Sequence, residues 1–226
     1  MKLRRSKVVV LTAAFAGILV LSAVVTHASN MGFKMNKTLA ASGVFPKGTN
    51  LVALPFKNNY VVAEDVCIAL GLTAATGRIQ QIDAGAASNN VKTHFCGGAG
   101  AFTLLQKVGL RITNPTAISG AILVGSHGGG NTNNVSFAGS TGVTFPKGTN
   151  DFPVPYHTTA ATAEDLCTQF GLTVGTGRIQ RIDAAAASNN VKTHFCGNAG
   201  PFALVLGESV AITNPTAVGP IAPGHF

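Results

Sequence analysis

The sequence predicts a mainly β protein with a minor helical part: two tandem, small β-sandwich-like modules, each with one short helix tied to a strand by a disulfide. Three observations predict it. The segment AASNNVKTHFCG at Ala86–Gly97 returns letter for letter at Ala186–Gly197, and the match extends outward: Phe45–Asn50 to Phe145–Asn150, Ala63–Cys67 to Ala163–Cys167, and on from Thr76 to Thr176 and Ile112 to Ile212. Apolar residues recur with period two between clusters of turn residues. The four cysteines, Cys67, Cys96, Cys167 and Cys196, stand at the same two places in each copy.

The chain divides accordingly. Residues 1–28 read as an export signal: Lys2, Arg4, Arg5 and Lys7 precede an uncharged apolar run over Val8–Val25, and Thr26-His27-Ala28 is a small-x-small cleavage site. The competing reading is an uncleaved anchor, the only route by which this chain would hold to a membrane. Residues 29–42 form an N-terminal extension, 43–127 the first module, 128–141 a Gly/Asn-rich linker with a short strand, and 142–226 the second module. Removing the signal takes four of the sixteen Lys/Arg, leaving twelve against eight acidic residues, so the mature chain is only mildly basic. No Lys/Arg cluster remains in it, which argues against nucleic acid as a partner. Two small cores of this size need staples.

Within the extension, Met31, Phe33, Met35 and Leu39 share one face of an alternating strand, and Lys37 alone breaks the apolar row. Leu51–Phe56 and its copy Asp151–Tyr156 read as strands. Pro55, Pro153 and Pro155 lack the ladder N–H and place them at a sheet edge. Ala63, Val66, Cys67 and Leu70 fall at helical spacing, as do Ala163, Leu166, Cys167 and Phe170. Thr162 can cap the second helix and Val62 cannot cap the first. Glu164 and Asp165 suit the first turn of the second helix, and Gly71 and Gly171 the C-terminal caps. Arg78–Asp83 and Val91–Cys96 form two strands, and the three-residue spacing of Ile79 and Ile82 suggests a bulge. Phe102–Leu105 and Val108–Thr113 read as a further pair. The copies then part: the first runs into the apolar strand Ala121–Val124, whereas Pro220 and Pro223 make a central strand improbable at the end of the second. The second module is thus expected to lack an element. Val135 and Phe137 take the place before it that Met31–Leu39 takes before the first.

Equal spacing and export favour the pairs Cys67–Cys96 and Cys167–Cys196; the crossed pairing requires swapped modules. A metal reading sets His94 and Cys96 beside Cys67, without an evident fourth ligand. A catalytic reading pairs His94 and His194 with Asp83 and Asp183, yet no nucleophile motif, carboxylate pair or phosphate loop accompanies them. The expectation is therefore no enzyme, no cofactor and no metal. A binding module is the alternative, with the loops at Asn58-Asn59 and His157-Thr158 as its contact points, although the chain has no Trp and only Tyr60 and Tyr156. The leading expectation is a structural subunit on the cell surface or outside the cell. There Met31, Phe33, Met35 and Leu39 of one copy fill the open edge of the next, head to tail, in an unclosed filament. Docking of the same strand on its own module is the competing outcome.

The order ALPF/PVPY, AEDLC, THFCG, ITNPTA and ILVGSH resembles duplicated modules of secreted bacterial proteins, over most of Gly43–His127 and Gly142–Asn214. Such modules often carry Trp where this chain has Ile82 and Val91, and the second copy lacks the terminal Val-Gly-Ser-His. The resemblance implies secretion and no defined activity. The tandem layout is also similar to two-domain bacterial pilins built by strand exchange.

Overall fold

A computed structural model describes residues 33–42, 48–84, 91–126, 134–140, 148–156, 158–184 and 191–224. The expected signal, Met31, His157 and half of the linker lie outside those residues. Among the described residues no helix is long and apolar enough to cross a membrane.

The chain is mainly β, in two similar modules. The first holds β1 (Phe33–Leu39), β2 (Asn50–Val52), α1 (Ala63–Leu70), β3 (Arg78–Ile82), β4 (Val91–Phe95), β5 (Leu110–Thr113) and β6 (Ile118–Gly125). The second holds β7 (Val135–Phe137), β8 (Thr149–Pro153), α2 (Ala163–Phe170), β9 (Arg178–Ile182), β10 (Val191–Phe195), β11 (Ser209–Thr213) and β12 (Val218–Ile221). Each module has a four-stranded antiparallel sheet, ordered β2-β5-β3-β4 or β8-β11-β9-β10, and a two-stranded ribbon, β1-β6 or β7-β12. β2, followed by Pro55, and β8, which ends on Pro153, stand at sheet edges, where a missing N–H is tolerated.

Both helices form where the apolar spacing places them. Asp65 Oδ2 accepts the Val61 and Val62 N–H groups, which substitutes for the side-chain cap that Val62 lacks. In α2, Thr162 Oγ1 also accepts from Asp165 N. Gly71 and Gly171 end the helices in the left-handed conformation, as their C′ positions require. The buried faces pack into one core with the sheet and ribbon. In the second module Phe137, Phe152 and Phe170 meet edge to face, with centroids 4.8–5.7 Å apart. Leu39, Val52 and Leu70 hold those positions in the first.

Three expectations change. The second module is not short of an element. Val218–Ile221 pairs with Val135–Phe137, and the tail goes on to the hydrogen bond from Thr159 N to the Gly224 carbonyl. The register shifts between Val218 and Ile221, so Pro220 sits in an irregular step that asks no ladder N–H of it. Second, β3 is not bulged, because its register with β4 is continuous from Arg78↔Phe95 to Ile82↔Val91. The inward position between Ile79 and Ile82 is taken by Gln81, whose Nε2 donates to the Leu105 carbonyl and whose Oε1 accepts the Leu105 N–H. In the second module Arg181 stands there and pairs with Glu208. Third, Phe102–Leu105 does not pair with β5; it crosses the start of α1 through Ala63 N to the Phe102 carbonyl and Leu104 N to the Val61 carbonyl. Of the two dockings open to the N-terminal strand, the structure shows the one within its own module: β1 pairs with β6, and Met35, Lys37 and Leu39 are all buried.

The modules are joined as one compact body over residues 34–226. Position 109 meets its own repeat: a Cβ on Gly109 would strike the Ser209 side chain. Around this point Gly109 N donates to the Asp151 carbonyl and Ala53 N to the Gly207 carbonyl. The modules therefore face each other about a quasi-twofold axis, as two subunits of a symmetric dimer do. The side chains at the seam break that symmetry. Arg111 and Asp151 form a buried two-pronged ion pair, Nε to Oδ2 at 2.7 Å and an Nη to Oδ1 at 2.8 Å. Their repeat positions carry Ala211 and Leu51, both buried.

Candidate functional site

The disulfides form within modules, Cys67–Cys96 and Cys167–Cys196, with Cα atoms 5.6 and 5.5 Å apart. Each joins the inner face of a helix to the end of a strand. Glu64 lies three residues before Cys67 on the helix, and His94 two residues before Cys96 on the strand, so both share the face of their cysteine. The result is a cluster. His94 Nε2 donates to Glu64 Oε2 at 2.6 Å, and the Gly97 N–H donates to the same carboxylate at 2.9 Å. The second module repeats this with His194, Glu164 and Gly197 at 2.6 and 3.0 Å. The ligating atoms of Glu64, Cys67 and His94 lie within 4.8 Å of one another, as do those of Glu164, Cys167 and His194. The imidazoles are buried and the carboxylates partly exposed. The His94 hydrogen bond, then the Gly97 N–H, hold the Glu64 carboxyl below its ordinary value of 4.5; His194 and Gly197 do the same to Glu164.

The partner of each histidine is thus a glutamate and not Asp83 or Asp183. Ile79 stands opposite His94 in the ladder. Asp83 is four residues further along, about 13 Å at strand rise. With both sulfurs oxidised and the carboxylate held by an N–H and an imidazole, the cluster staples helix to strand. Asn58 also serves its own loop, donating to the Pro55 carbonyl and accepting from Tyr60 N, while the Tyr60 hydroxyl accepts Val124 N from β6.

Two clefts open along the seam. One, of about 430 Å³, lies among Asp83, Leu105, Lys107, Ser136, Phe137 and Asp151. The other, of about 400 Å³, lies among Lys37, Leu39, Leu51, Asp183, Leu206 and Glu208. They are quasi-twofold equivalents with the modules exchanged. Lys107 Nζ donates to the Asn134 carbonyl in the first, and Lys37 Nζ to the Gly207 carbonyl in the second.

Lys37, the break in the apolar row of β1, therefore spans the seam. Burial lowers its pKa to about 8 from 10.5, with Glu208 opposing the shift. A lysine whose pKa falls on folding penalises the folded state in full below pH 8, and the penalty fades as pH rises toward 10.5. Lys37→Met is accordingly expected to raise stability at pH 7, by about 1–3 kcal/mol, and to lose that advantage by pH 10.5. The Gly207 carbonyl keeps the Ala53 N–H as a partner in the variant. Urea unfolding of both proteins at the two pH values checks the sign.

No protein-family model, curated protein or solved structure matches this chain.

Proposed function

We propose that the chain is an exported, non-enzymatic structural subunit that assembles head to tail outside the cell by exchange of the strand Phe33–Leu39 between copies. The observation that carries this reading is the β1–β6 ribbon. Among the described strands β1 pairs with β6 alone. Its inward row, Met35, Lys37 and Leu39, is fully buried, so withdrawing it uncovers an edge and an apolar slot that only the same strand matches. An identical strand from a neighbour restores every contact, which makes exchange a low-cost route to assembly. The acceptor is β6 of the neighbour's first module, since β7 and β12 close the second within the chain. The burial cost of Lys37 loosens β1 relative to an all-apolar strand.

Disulfides in both modules suit an oxidising compartment, which supports a place outside the cytoplasm. The cluster residues are engaged in stapling, which supports a role without catalysis. The likeness to secreted bacterial modules and to tandem pilins belongs to this same reading.

The test is particle size by light scattering for the mature chain with and without residues 29–40. The intact chain should form open-ended particles that grow with concentration, and the truncated chain should stay small. An intact chain that remains monomeric, or closes into a dimer, overturns the filament. The paired clefts at the seam favour a second reading, a surface binding module, and under it both forms stay monomeric.

A further inference from the structure

We infer that each module, once its disulfide is reduced, holds one zinc-type divalent metal ion through Glu64, Cys67, His94 and Cys96, or through Glu164, Cys167, His194 and Cys196. Two thiolates, an imidazole and a carboxylate are a closed four-ligand set for such an ion. In sequence the set looks incomplete, because the fourth ligand is a helix glutamate 30 residues before the histidine.

The geometry is close to what a metal needs. The donor atoms of Glu64, Cys67 and His94 already lie within 4.8 Å of one another. Ligand atoms around a tetrahedral zinc, at metal distances near 2.0–2.3 Å, stand roughly 3.3–3.8 Å apart. Two adjustments complete the site. The Glu64 carboxylate must draw back from His94 Nε2, now 2.6 Å away, and it is partly exposed in the first helical turn, where it can move. The sulfurs must part once their bond is broken, on backbones that leave the Cα atoms 5.6 Å apart. The Gly97 N–H already orients the carboxylate, as outer hydrogen bonds do for metal ligands. Four of the eight helix positions differ between AEDVCIAL and AEDLCTQF, and neither the glutamate nor the cysteine is among them.

The chemistry balances with a dithiol as reductant. It passes two electrons and two protons to the Cys67–Cys96 bond and closes its own disulfide. On binding the metal, both thiols release their protons to solvent, and the proton on His94 Nε2 moves to Nδ1 through water. The same helix is then held to the same strand in either redox state, by a covalent bond or by an ion.

Titrating the full mature chain with cobalt(II) tests this, after anaerobic reduction with a phosphine that does not itself bind metal. The reduced chain should develop thiolate charge-transfer and tetrahedral ligand-field bands that saturate at two ions per chain, and the oxidised chain should show none. Glu64→Gln should remove half of the tetrahedral signal, and Glu64→Gln with Glu164→Gln all of it, with the thiol count unchanged. If reduction unfolds the chain, cobalt should restore its far-ultraviolet circular dichroism. A reduced chain without tetrahedral bands, folded or not, overturns the inference, as does a double variant whose bands match the parent's.

Discussion

Arg111→Ala is expected to cost about 3–5 kcal/mol in urea unfolding, because it leaves Asp151 charged, buried and without its guanidinium. Asp151→Ala should cost a similar amount for the converse reason. Both side chains lie in the seam, at 6 % and 0 % exposure. The quasi-twofold supplies its own control. Across the axis the same two positions are filled by Ala211 and Leu51, an apolar pair in the same backbone setting. Arg111→Ala combined with Asp151→Leu copies that half of the seam and should restore stability to within about 1 kcal/mol of the parent, or exceed it. A double variant as damaged as either single one would show that the ion pair is a net source of stability. In the expected case the pair acts by orientation. Only one of the two modules carries each charge, so the charges distinguish the native seam from one between two identical modules.

Removing one disulfide, by Cys67→Ala with Cys96→Ala, should cost about 3–4 kcal/mol, the chain-entropy value for a loop of this size. The separation is 29 residues in both modules, so Cys167→Ala with Cys196→Ala should cost about as much. The consequences should differ. The second module keeps three rings in edge-to-face contact, whereas the first has Leu39, Val52 and Leu70 in their place. The first module should therefore open first, seen as earlier loss of amide protection over β3 and β4. A cost below about 1 kcal/mol in either module would mean that the core and the Glu–His contact hold the helix unaided.

Much of the fold was readable from local patterns. Helical spacing located both helices, glycines located their ends, and the cysteine in each buried face pointed to its strand partner. Prolines marked β2 and β8 as edges. The glutamate of the cluster was also within reach: Glu64 is three residues from Cys67 on one helix face, and His94 two from Cys96 on one strand face. A disulfide between those cysteines brings the other two together. Pairing His94 with Asp83 concealed this. Pro220 misled in the other direction, because a rule about ladder N–H groups says nothing of a two-stranded ribbon with a shifted register.

Local chemistry settled the repeat, the helices and most strand periods and favoured the cysteine pairing, since each depends on residues a few positions apart or on a match between copies. The docking of one module on the other, the alignment of Gly109 with Ser209, the pairing of Arg111 with Asp151 and the reach of Lys37 to Gly207 depended on the assembled structure. Those contacts join residues 40 to 170 positions apart. No periodicity in a chain records which of its buried charges will face each other across a symmetry axis that exists only after both halves have folded.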